Sequence, residues 1–156
     1  MKVLFMCTHN SCRSILCEAL FNHLAPEGIE AVSSGSFPSG RVNPRALQTL
    51  EAAGIATAGL SSKASDAFEG SPPDVVITVC DRAAGEACPI FFGPALKGHW
   101  GLADPSQATG SEPEITAAFA VTLREIRERA SAFLELPLKT MSADRLEAEL
   151  SRIGNL

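Results

Sequence analysis

The sequence predicts an α/β protein built around an open, mainly parallel β-sheet with right-handed crossover connections. Two observations support this prediction. Short apolar segments of strand length alternate along the chain with longer segments of helical periodicity. Residues Asp74–Val79 form a continuous β-branched run, which is typical of a central parallel strand buried on both faces. Such sheets bind ligands at the carboxyl ends of their strands, so the residues that follow the strands are the first candidates for a functional site.

The first strands and the first helix lie close to the N-terminus. Residues Lys2–Met6 indicate a short buried strand, and a helix is predicted over Ser14–Leu24, with Pro26 and Gly28 ending it. A second strand is expected at Ile29–Ser33. The apolar face of the predicted helix consists of Ile15, Leu16, Ala19, Leu20 and Leu24.

The remaining elements follow in the same alternating pattern. Pro44 lies at the predicted start of a helix that is followed by Gly54. Residues Lys97–Trp100 are the candidate fourth strand. A long helix is predicted over Glu112–Leu136. Its apolar face consists of Ile115, Phe119, Leu123, Ile126, Ala130, Phe133 and Leu134.

At 156 residues, the chain is long enough for one domain with its own hydrophobic core. Residues 1–136 are predicted to form that domain, and residues 137–156 to form a C-terminal extension. In the extension, Ser142 can cap a short amphipathic helix whose apolar face carries Leu146, Leu150 and Ile153. This helix is expected to dock either on the body of the chain or on a partner subunit.

Composition excludes several classes of function. A net charge of −5 argues against nucleic acid or an anionic membrane as a partner, and no stretch approaches membrane-spanning length. The apolar run at the N-terminus is too short for a secretory signal peptide. The five cysteines therefore indicate a reducing compartment and a cytoplasmic location. Cysteines in such proteins are more often catalytic, redox-active or metal-binding than structural.

The cysteine spacing does not indicate a metal site. The pairs Cys7/Cys12 and Cys80/Cys88 lack the two-residue separation of zinc knuckles, and the three histidines are scattered along the chain. We therefore predict neither a bound metal nor a cofactor.

The most informative feature is the loop between the first strand and the first helix, in which five residues separate Cys7 from Arg13. The N–H groups of such a loop converge, the helix dipole adds partial positive charge, and Arg13 supplies a planar fork of donors. This pattern predicts a site for a tetrahedral oxyanion and stabilises Cys7 as a thiolate nucleophile. The alternative is a small buried cysteine, with Arg13 on a solvated helix face. The predicted oxyanion-binding residues are Thr8, His9, Asn10, Ser11, Cys12, Arg13 and Ser14.

The loop and its surroundings, Lys2–Glu18, resemble the low-molecular-weight tyrosine phosphatase fold group, and specifically its arsenate reductase branch. The later cysteines and the His-Trp-Gly segment distinguish this branch from the phosphatases. The resemblance implies a four-stranded parallel sheet in the order 2-1-3-4, with helices on both faces. It extends through Ser33–Gly35, Val42–Pro44, Val76–Cys80, Cys88–Pro89 and His99–Pro105.

The resemblance implies reduction of arsenate to arsenite by a relay of cysteines. Cys7 attacks arsenic while Asp104, as general acid, protonates the departing oxygen. Cys80 then attacks the Cys7 sulfur and releases arsenite. Cys88 attacks Cys80 to free Cys7, and thioredoxin or a glutaredoxin–glutathione system reduces the resulting disulfide. Phosphate and sulfate are expected to compete with arsenate as similarly shaped anions.

The implied strand order makes the strands that end at Cys7 and Cys80 neighbours, about 4.8 Å apart. A disulfide requires Cα atoms within about 7 Å, so these two sulfurs are expected to meet. Cys12 is an alternative partner for Cys7. Cys17 lies on the first predicted helix and is interpreted as a buried packing residue.

Several polar residues are expected to shape the site. Ser14 is expected to hydrogen-bond the Cys7 sulfur, to cap the first helix, or to do both. Asn10 is expected to hold the loop backbone at positive φ, which asparagine tolerates. Asp104 precedes a proline, so its alternative role is that of a turn starter. Some relatives bind potassium beside this loop, at positions that correspond to Asn10, Glu18, Ser33 and Asp66.

Two other functions remain open. A phosphotyrosine phosphatase would use Cys7, Arg13 and Asp104 in the same way, with water replacing Cys80 in the second step. Such phosphatases typically line their substrate cleft with aromatic residues, often tyrosine, whereas this chain contains no tyrosine. A non-catalytic oxyanion or arsenite sensor would use the thiols as ligands, but it would not need the acid. Arsenate reduction, accompanied by weak phosphatase activity, is the favoured interpretation.

Overall fold

A computed structural model of the chain describes residues 1–87 and 93–156. Its strands are β1 (Lys2–Cys7), β2 (Glu30–Gly35), β3 (Val75–Thr78) and β4 (Leu96–His99). These strands form a parallel sheet in the order β2-β1-β3-β4, which confirms the predicted fold class.

The helices of the described residues lie close to the bounds predicted from the sequence. The α-helices are α1 (Arg13–Leu24), α2 (Pro44–Ala52), α3 (Glu112–Leu134) and α4 (Ala143–Gly154). Short 3₁₀ helices span Ser65–Phe68, Arg82–Ala84 and Pro105–Gln107. Within residues 1–87 and 93–156, no helix combines the length and the apolarity needed to cross a membrane.

The two faces of the sheet are covered differently. Along β1, Val3 and Phe5 belong to the main hydrophobic core, to which all four α-helices contribute. Leu4 and Met6 alternate with them and belong to a smaller cluster, against which Phe68 packs. Because alternate residues of a strand point to opposite faces, the α-helices cover one face and a 3₁₀ helix contributes to the other. Helices therefore lie on both faces, as predicted.

A chain of aromatic rings connects the sheet to the helices above it. The ring of Phe5 lies 5.7 Å from that of Phe21 on α1 and 5.8 Å from that of Trp100. Phe133 of α3 lies 5.6 Å from Phe21 and 6.1 Å from Trp100. These tilted and edge-on contacts hold α1 and α3 on the strand that leads to Cys7.

The carboxyl ends of three strands meet at one edge of the sheet. Cys7 pairs with Gly35 of β2, and Met6 pairs with Thr78 of β3. The N–H of Val79 then donates to the carbonyl oxygen of Met6 at 3.0 Å, which extends the pairing beyond β3. The residues that follow β1 and β3 therefore emerge side by side.

The C-terminal helix docks on the body of the same chain. Ser142 caps α4 by accepting a hydrogen bond from the N–H of Arg145 at 3.3 Å, as predicted. Leu146, Leu150 and Ile153 are buried in the main core. The indole N–H of Trp100 donates to the carbonyl oxygen of Leu150 at 3.2 Å. The helix α4 is thus a packed part of the domain, resting against β4 and α3.

We expect Leu150→Ala to lower the free energy of unfolding by about 2–5 kcal/mol, because it leaves a cavity between α4 and the sheet. Leu150 is fully buried, whereas Leu156 is 60% exposed. The matched control, Leu156→Ala, is expected to change stability by less than about 0.5 kcal/mol. Urea unfolding of both variants measures the difference. Equal stabilities would show that α4 does not contribute to the core.

Candidate active site

The loop that follows β1 is shaped by the buried side chain of Asn10. Its backbone adopts a φ of 46°, which confirms the predicted left-handed conformation. The side-chain Nδ2 donates to the hydroxyl oxygens of Ser14 at 2.8 Å and Ser33 at 2.9 Å, while Oδ1 accepts from the N–H of Lys63 at 2.9 Å. One amide therefore connects the loop to α1, to β2 and to the segment before the first 3₁₀ helix.

The strand β2 presses closely against this loop at Gly35. A Cβ atom on Gly35 would lie 2.6 Å from the carbonyl oxygen of Thr8 and 2.8 Å from the backbone nitrogen of Asn10. No side chain fits in that space, so glycine is required for the close approach. The glycine of the Ser33–Gly35 segment, through which the family resemblance extends, is therefore required for steric reasons.

Donors outside the loop hold its carbonyl groups. The carbonyl oxygen of Thr8 accepts from the N–H of Phe37 at 2.8 Å, and that of Ser11 accepts from the N–H of Asn43 at 2.8 Å. Within the described residues, no group accepts a hydrogen bond from the N–H groups of Thr8, His9, Asn10 or Ser11. These N–H groups therefore remain available to an anion, as the oxyanion prediction requires.

Ser14 supports the sulfur of Cys7. The two side chains lie 2.9 Å apart (Sγ···Oγ) and are buried, which confirms the predicted contact. The Ser14 oxygen accepts a hydrogen bond from Asn10, which leaves its own hydroxyl proton free to donate to the sulfur; such a donor stabilises a thiolate. The alternative role of Ser14 as helix cap is not found, since Cys12 occupies the N-cap of α1 without a capping bond.

Arg13 is almost fully buried and makes contacts on several sides. Its Nη1 donates to Glu86 at 2.7 Å and to the carbonyl oxygen of Leu102 at 3.1 Å. Its Nη2 donates to Glu86 at 2.6 Å and lies 3.6 Å from the carboxylate of Asp104. Burial alone would lower the pKa of Arg13, but Glu86 and Asp104 outweigh it and raise that pKa, so the guanidinium stays charged.

Glu86 is a site residue that the sequence did not reveal. Arg13, above all by hydrogen bonding, holds the pKa of Glu86 below its ordinary value, so this side chain is a carboxylate. The sequence feature that could have indicated Glu86 is its place on the loop after Cys80, because that loop follows β3, the strand next to β1. The contact joins residues 73 positions apart, and local pattern does not predict such pairs.

Asp104 starts a turn, which is its alternative predicted role, and it also lies beside Arg13. Its Oδ1 accepts from the N–H and the hydroxyl of Ser106 at 3.0 and 2.6 Å, so it caps the following 3₁₀ helix. Its Oδ2 faces Arg13. Asp104, Arg13, Thr8 and His9 line a cavity of about 590 Å³ together with Glu86 and Gln107. The turn thus directs one carboxylate oxygen into a cavity beside the loop.

The cysteines differ in their state and surroundings. Cys80 is fully buried and disulfide-bonded, whereas Cys7, Cys12 and Cys17 are free. Cys88, predicted to take part in thiol exchange, lies outside the described residues. Burial raises the pKa of Cys12 to about 12, and the nearby negative charges of Asp104 and Cys7 add to this effect.

The buried cysteine of α1 is a packing residue. Burial raises the pKa of Cys17, so its thiol stays protonated within the main core. The prediction for Cys17 is therefore confirmed.

The residues that correspond to a potassium site in some relatives do not fit a cation. Nδ2 of Asn10 donates to Ser33, whose hydroxyl donates to Glu18 at 2.7 Å. The ammonium of Lys63 lies 3.7 Å from the same Glu18 oxygen and supplies a positive charge there. Asp66 is exposed and joins none of these contacts. Elsewhere in the described residues, no group of three or more acidic, histidine or cysteine side chains is arranged to hold a metal ion.

The strand–loop–helix unit brings Cys7, Arg13 and Asp104 together at one sheet edge, beside N–H groups that have no acceptor among the described residues. The chain belongs to the low molecular weight phosphotyrosine protein phosphatase family, whose family model matches residues 2–148. The match reaches into α4, while the domain boundary predicted at Leu136 stays a prediction.

Several arsenate reductases are among the similar proteins. The arsenate reductase of Bacillus licheniformis is 36% identical over 137 residues, which cover 85% of this chain and 94% of that protein. The crystal structure of arsenate reductase from Archaeoglobus fulgidus matches 86% of this chain and 99% of its own, with 26% identity and a TM-score of 0.72. A thioredoxin-dependent arsenate reductase of Corynebacterium glutamicum matches 83% of this chain and 61% of its own, with 28% identity and a TM-score of 0.55.

We expect iodoacetate to leave Cys12 unmodified in the native protein near pH 8, because a thiol with a pKa of about 12 stays protonated there. Cys7, beside Ser14 and the free loop amides, is expected to react. Mass spectrometry of peptides from native and unfolded protein measures both sites. Rapid labelling of Cys12 in the folded protein would contradict this assignment and restore Cys12 as a partner for Cys7.

Proposed function

We propose that this protein reduces arsenate to arsenite through a covalent adduct on Cys7 that a second cysteine resolves. The observation that carries this proposal is the pairing of β1 with β3. It brings an oxyanion loop that contains Cys7 next to the strand that precedes Cys80. The similarity to arsenate reductases over 85% of the chain supports the same substrate.

In the first step, the Cys7 thiolate forms a bond to arsenic, and one arsenate oxygen leaves as water after protonation. The free N–H groups of the loop and the guanidinium of Arg13 are suited to stabilise the remaining oxygens. We assign the proton to Asp104, whose Oδ2 faces Arg13 across the cavity. A general acid has to lie within hydrogen-bond reach of the leaving oxygen, and the place of Asp104 in the cavity that Thr8 and Arg13 also line supports this role.

In the second step, the Cys80 sulfur attacks the Cys7 sulfur. The electron pair of the sulfur–arsenic bond stays on arsenic, which leaves as arsenite, and a Cys7–Cys80 disulfide remains. Attack requires the two side chains to approach at the carboxyl edge of β1 and β3. The continued pairing of Val79 with Met6 supports this approach.

In the third step, Cys88 attacks Cys80, frees Cys7 and leaves a Cys80–Cys88 disulfide for an external dithiol to reduce. Cys80 is fully buried, which favours attack of the external thiol on Cys88. We infer that thioredoxin is the reductant in preference to a glutaredoxin–glutathione system, because the similar protein of Corynebacterium glutamicum is thioredoxin-dependent.

A phosphotyrosine phosphatase is the second candidate, since the family takes its name from that activity. It would use the same loop and release its product by water instead of Cys80. The neighbouring Cys80 has no role in that reaction, and the similar proteins of Bacillus licheniformis and Archaeoglobus fulgidus are named arsenate reductases. A sensor without catalysis would not need Asp104 as an acid.

Arsenate turnover coupled to thioredoxin and its reductase tests the proposal, with phosphatase activity measured on the same sample. We expect Cys7→Ser to abolish turnover, because a hydroxyl is a far weaker nucleophile than a thiolate. Cys17→Ala, which removes a thiol packed in the core, serves as the control and should retain activity. Undiminished turnover by Cys7→Ser would rule out the mechanism, and phosphatase activity without arsenate turnover would select the second candidate.

We expect Asp104→Asn to slow formation of the first intermediate by about 10²–10⁴-fold, the usual contribution of a general acid. Asparagine retains the oxygen that accepts from Ser106, so the turn should persist while the transferable proton is lost. Asp144→Asn, in the first turn of α4, is the control for an isosteric loss of charge. Single-turnover kinetics measure the step, and a wild-type rate would reduce Asp104 to a turn residue.

We expect Cys88→Ser to release about one arsenite per enzyme and then stop, because Cys80 can still resolve the adduct but nothing frees Cys7. The stalled species should be a Cys7–Cys80 disulfide, detected by peptide mapping without reduction. Cys80→Ser should instead block the first release. Continued cycling of Cys88→Ser with thioredoxin would contradict the three-cysteine relay.

A further inference from the structure

The guanidinium of the proposed oxyanion site already binds an anion that belongs to the chain. Glu86 approaches Arg13 with both carboxylate oxygens, at 2.6 and 2.7 Å. This two-pronged contact is the geometry with which an arginine holds a phosphate or a related oxyanion. The side chain of Arg13 is 6% exposed and that of Glu86 26%, so solvent screens the pair only weakly.

The loop after Cys80 holds Glu86 in this position. The Glu86 carboxylate also accepts from the N–H of Asp81 at 2.9 Å, and the N–H of Glu86 donates to the carbonyl oxygen of Asp81 at 3.1 Å. Gly85 turns the chain with a φ of 79°, and Asp81 caps the N–H of Ala84. The Glu86 carboxylate is therefore held by a hydrogen bond from its own loop while it also binds Arg13.

The charges at the site oppose the simultaneous presence of a second anion. Arg13 lies within hydrogen-bond or ion-pair distance of two carboxylates, those of Glu86 and Asp104. A divalent oxyanion bound beside the Cys7 thiolate would add further negative charge to the same guanidinium. With Glu86 in place, the carboxylate offsets the positive charge of Arg13, and both terminal nitrogens of the guanidinium already donate hydrogen bonds to it.

We propose that Glu86 is an internal competitor of the oxyanion, which has to leave Arg13 before a tetrahedral anion binds with full affinity. Glu86 thereby sets the affinity of the site. This inference rests on the proposed function only in that the Cys7–Arg13 loop binds oxyanions. The contrasting role is that Glu86 merely positions Arg13, in which case its removal weakens anion binding.

Calorimetric titration with inorganic phosphate separates these roles without requiring turnover. The protein is titrated without reductant, so that Cys80 stays disulfide-bonded. We expect Glu86→Gln to bind phosphate about tenfold more tightly than the wild type. This factor applies if the Glu86–Arg13 pair is formed in about nine molecules of ten, so that Arg13 is free to bind phosphate in the remaining one. Glutamine still accepts from the N–H of Asp81, so the loop turn is retained while the charge on Arg13 is removed.

The chain contains a matched control. Glu112 forms an equivalent two-pronged pair with Arg45, at 2.6 and 2.8 Å, at the start of α3. Glu112→Gln changes the net charge by the same amount and is expected to leave phosphate affinity unchanged. Glu86→Ala, which removes the contact entirely, should tighten binding in the same direction as Glu86→Gln. Melting temperatures confirm that each variant is folded.

Each result decides between the roles. Unchanged or weaker phosphate binding by both Glu86 variants, with measurable binding by the wild type, would overturn the inference and leave the proposed function standing. Tighter binding by both Glu86 variants, together with a wild-type protein that does not reduce arsenate, would support the inference and overturn the proposed function. Absence of phosphate binding in the wild type and in every variant would overturn both.

Discussion

The buried amide of Asn10 is the contact on which the rest of the site depends. A primary amide offers two donor protons and an acceptor oxygen, and here they bind Ser14, Ser33 and the backbone of Lys63. The left-handed backbone of Asn10 turns the loop back toward α1, while the side chain fixes the Ser14 hydroxyl that faces Cys7. An aspartate would lack the two donors, and an alanine would remove a hydrogen-bond partner from Ser14, from Ser33 and from the N–H of Lys63.

The elements and the local contacts of the site could be predicted because short-range chemistry determines them. Asparagine at positive φ and a hydroxyl in the first turn of α1, seven positions after Cys7, follow from residue type and spacing. The pairs of Arg13 with Glu86 and of Lys63 with Glu18 join distant parts of the chain, and only the folded structure reveals them. A potassium site inferred from relatives fails here because the lysine at position 63 brings its own ammonium to Glu18.

In this fold the strands position the site, whereas the loops between strands and helices supply its reactive groups. The sheet brings the residues after β1 and β3 to one edge with the precision of paired backbones. The donors and the acid come from segments outside the strands, where side chains are held by turns and caps, as Asp104 is by Ser106. In an acidic protein, such local donors overcome a repulsive overall charge, because only the nearest groups act on a bound anion without screening by salt.

The docking of α4 has a consequence for how the protein behaves in a crowded solution. Its backbone lies so close to β4 that a Cβ atom on Gly154 would come within 2.3 Å of the carbonyl oxygen of His99. β4 is an edge strand, and exposed edges serve as templates on which other chains add strands and aggregate. A helix seated against this edge obstructs such additions. The C-terminal segment thus limits access to one of the two edges of the sheet.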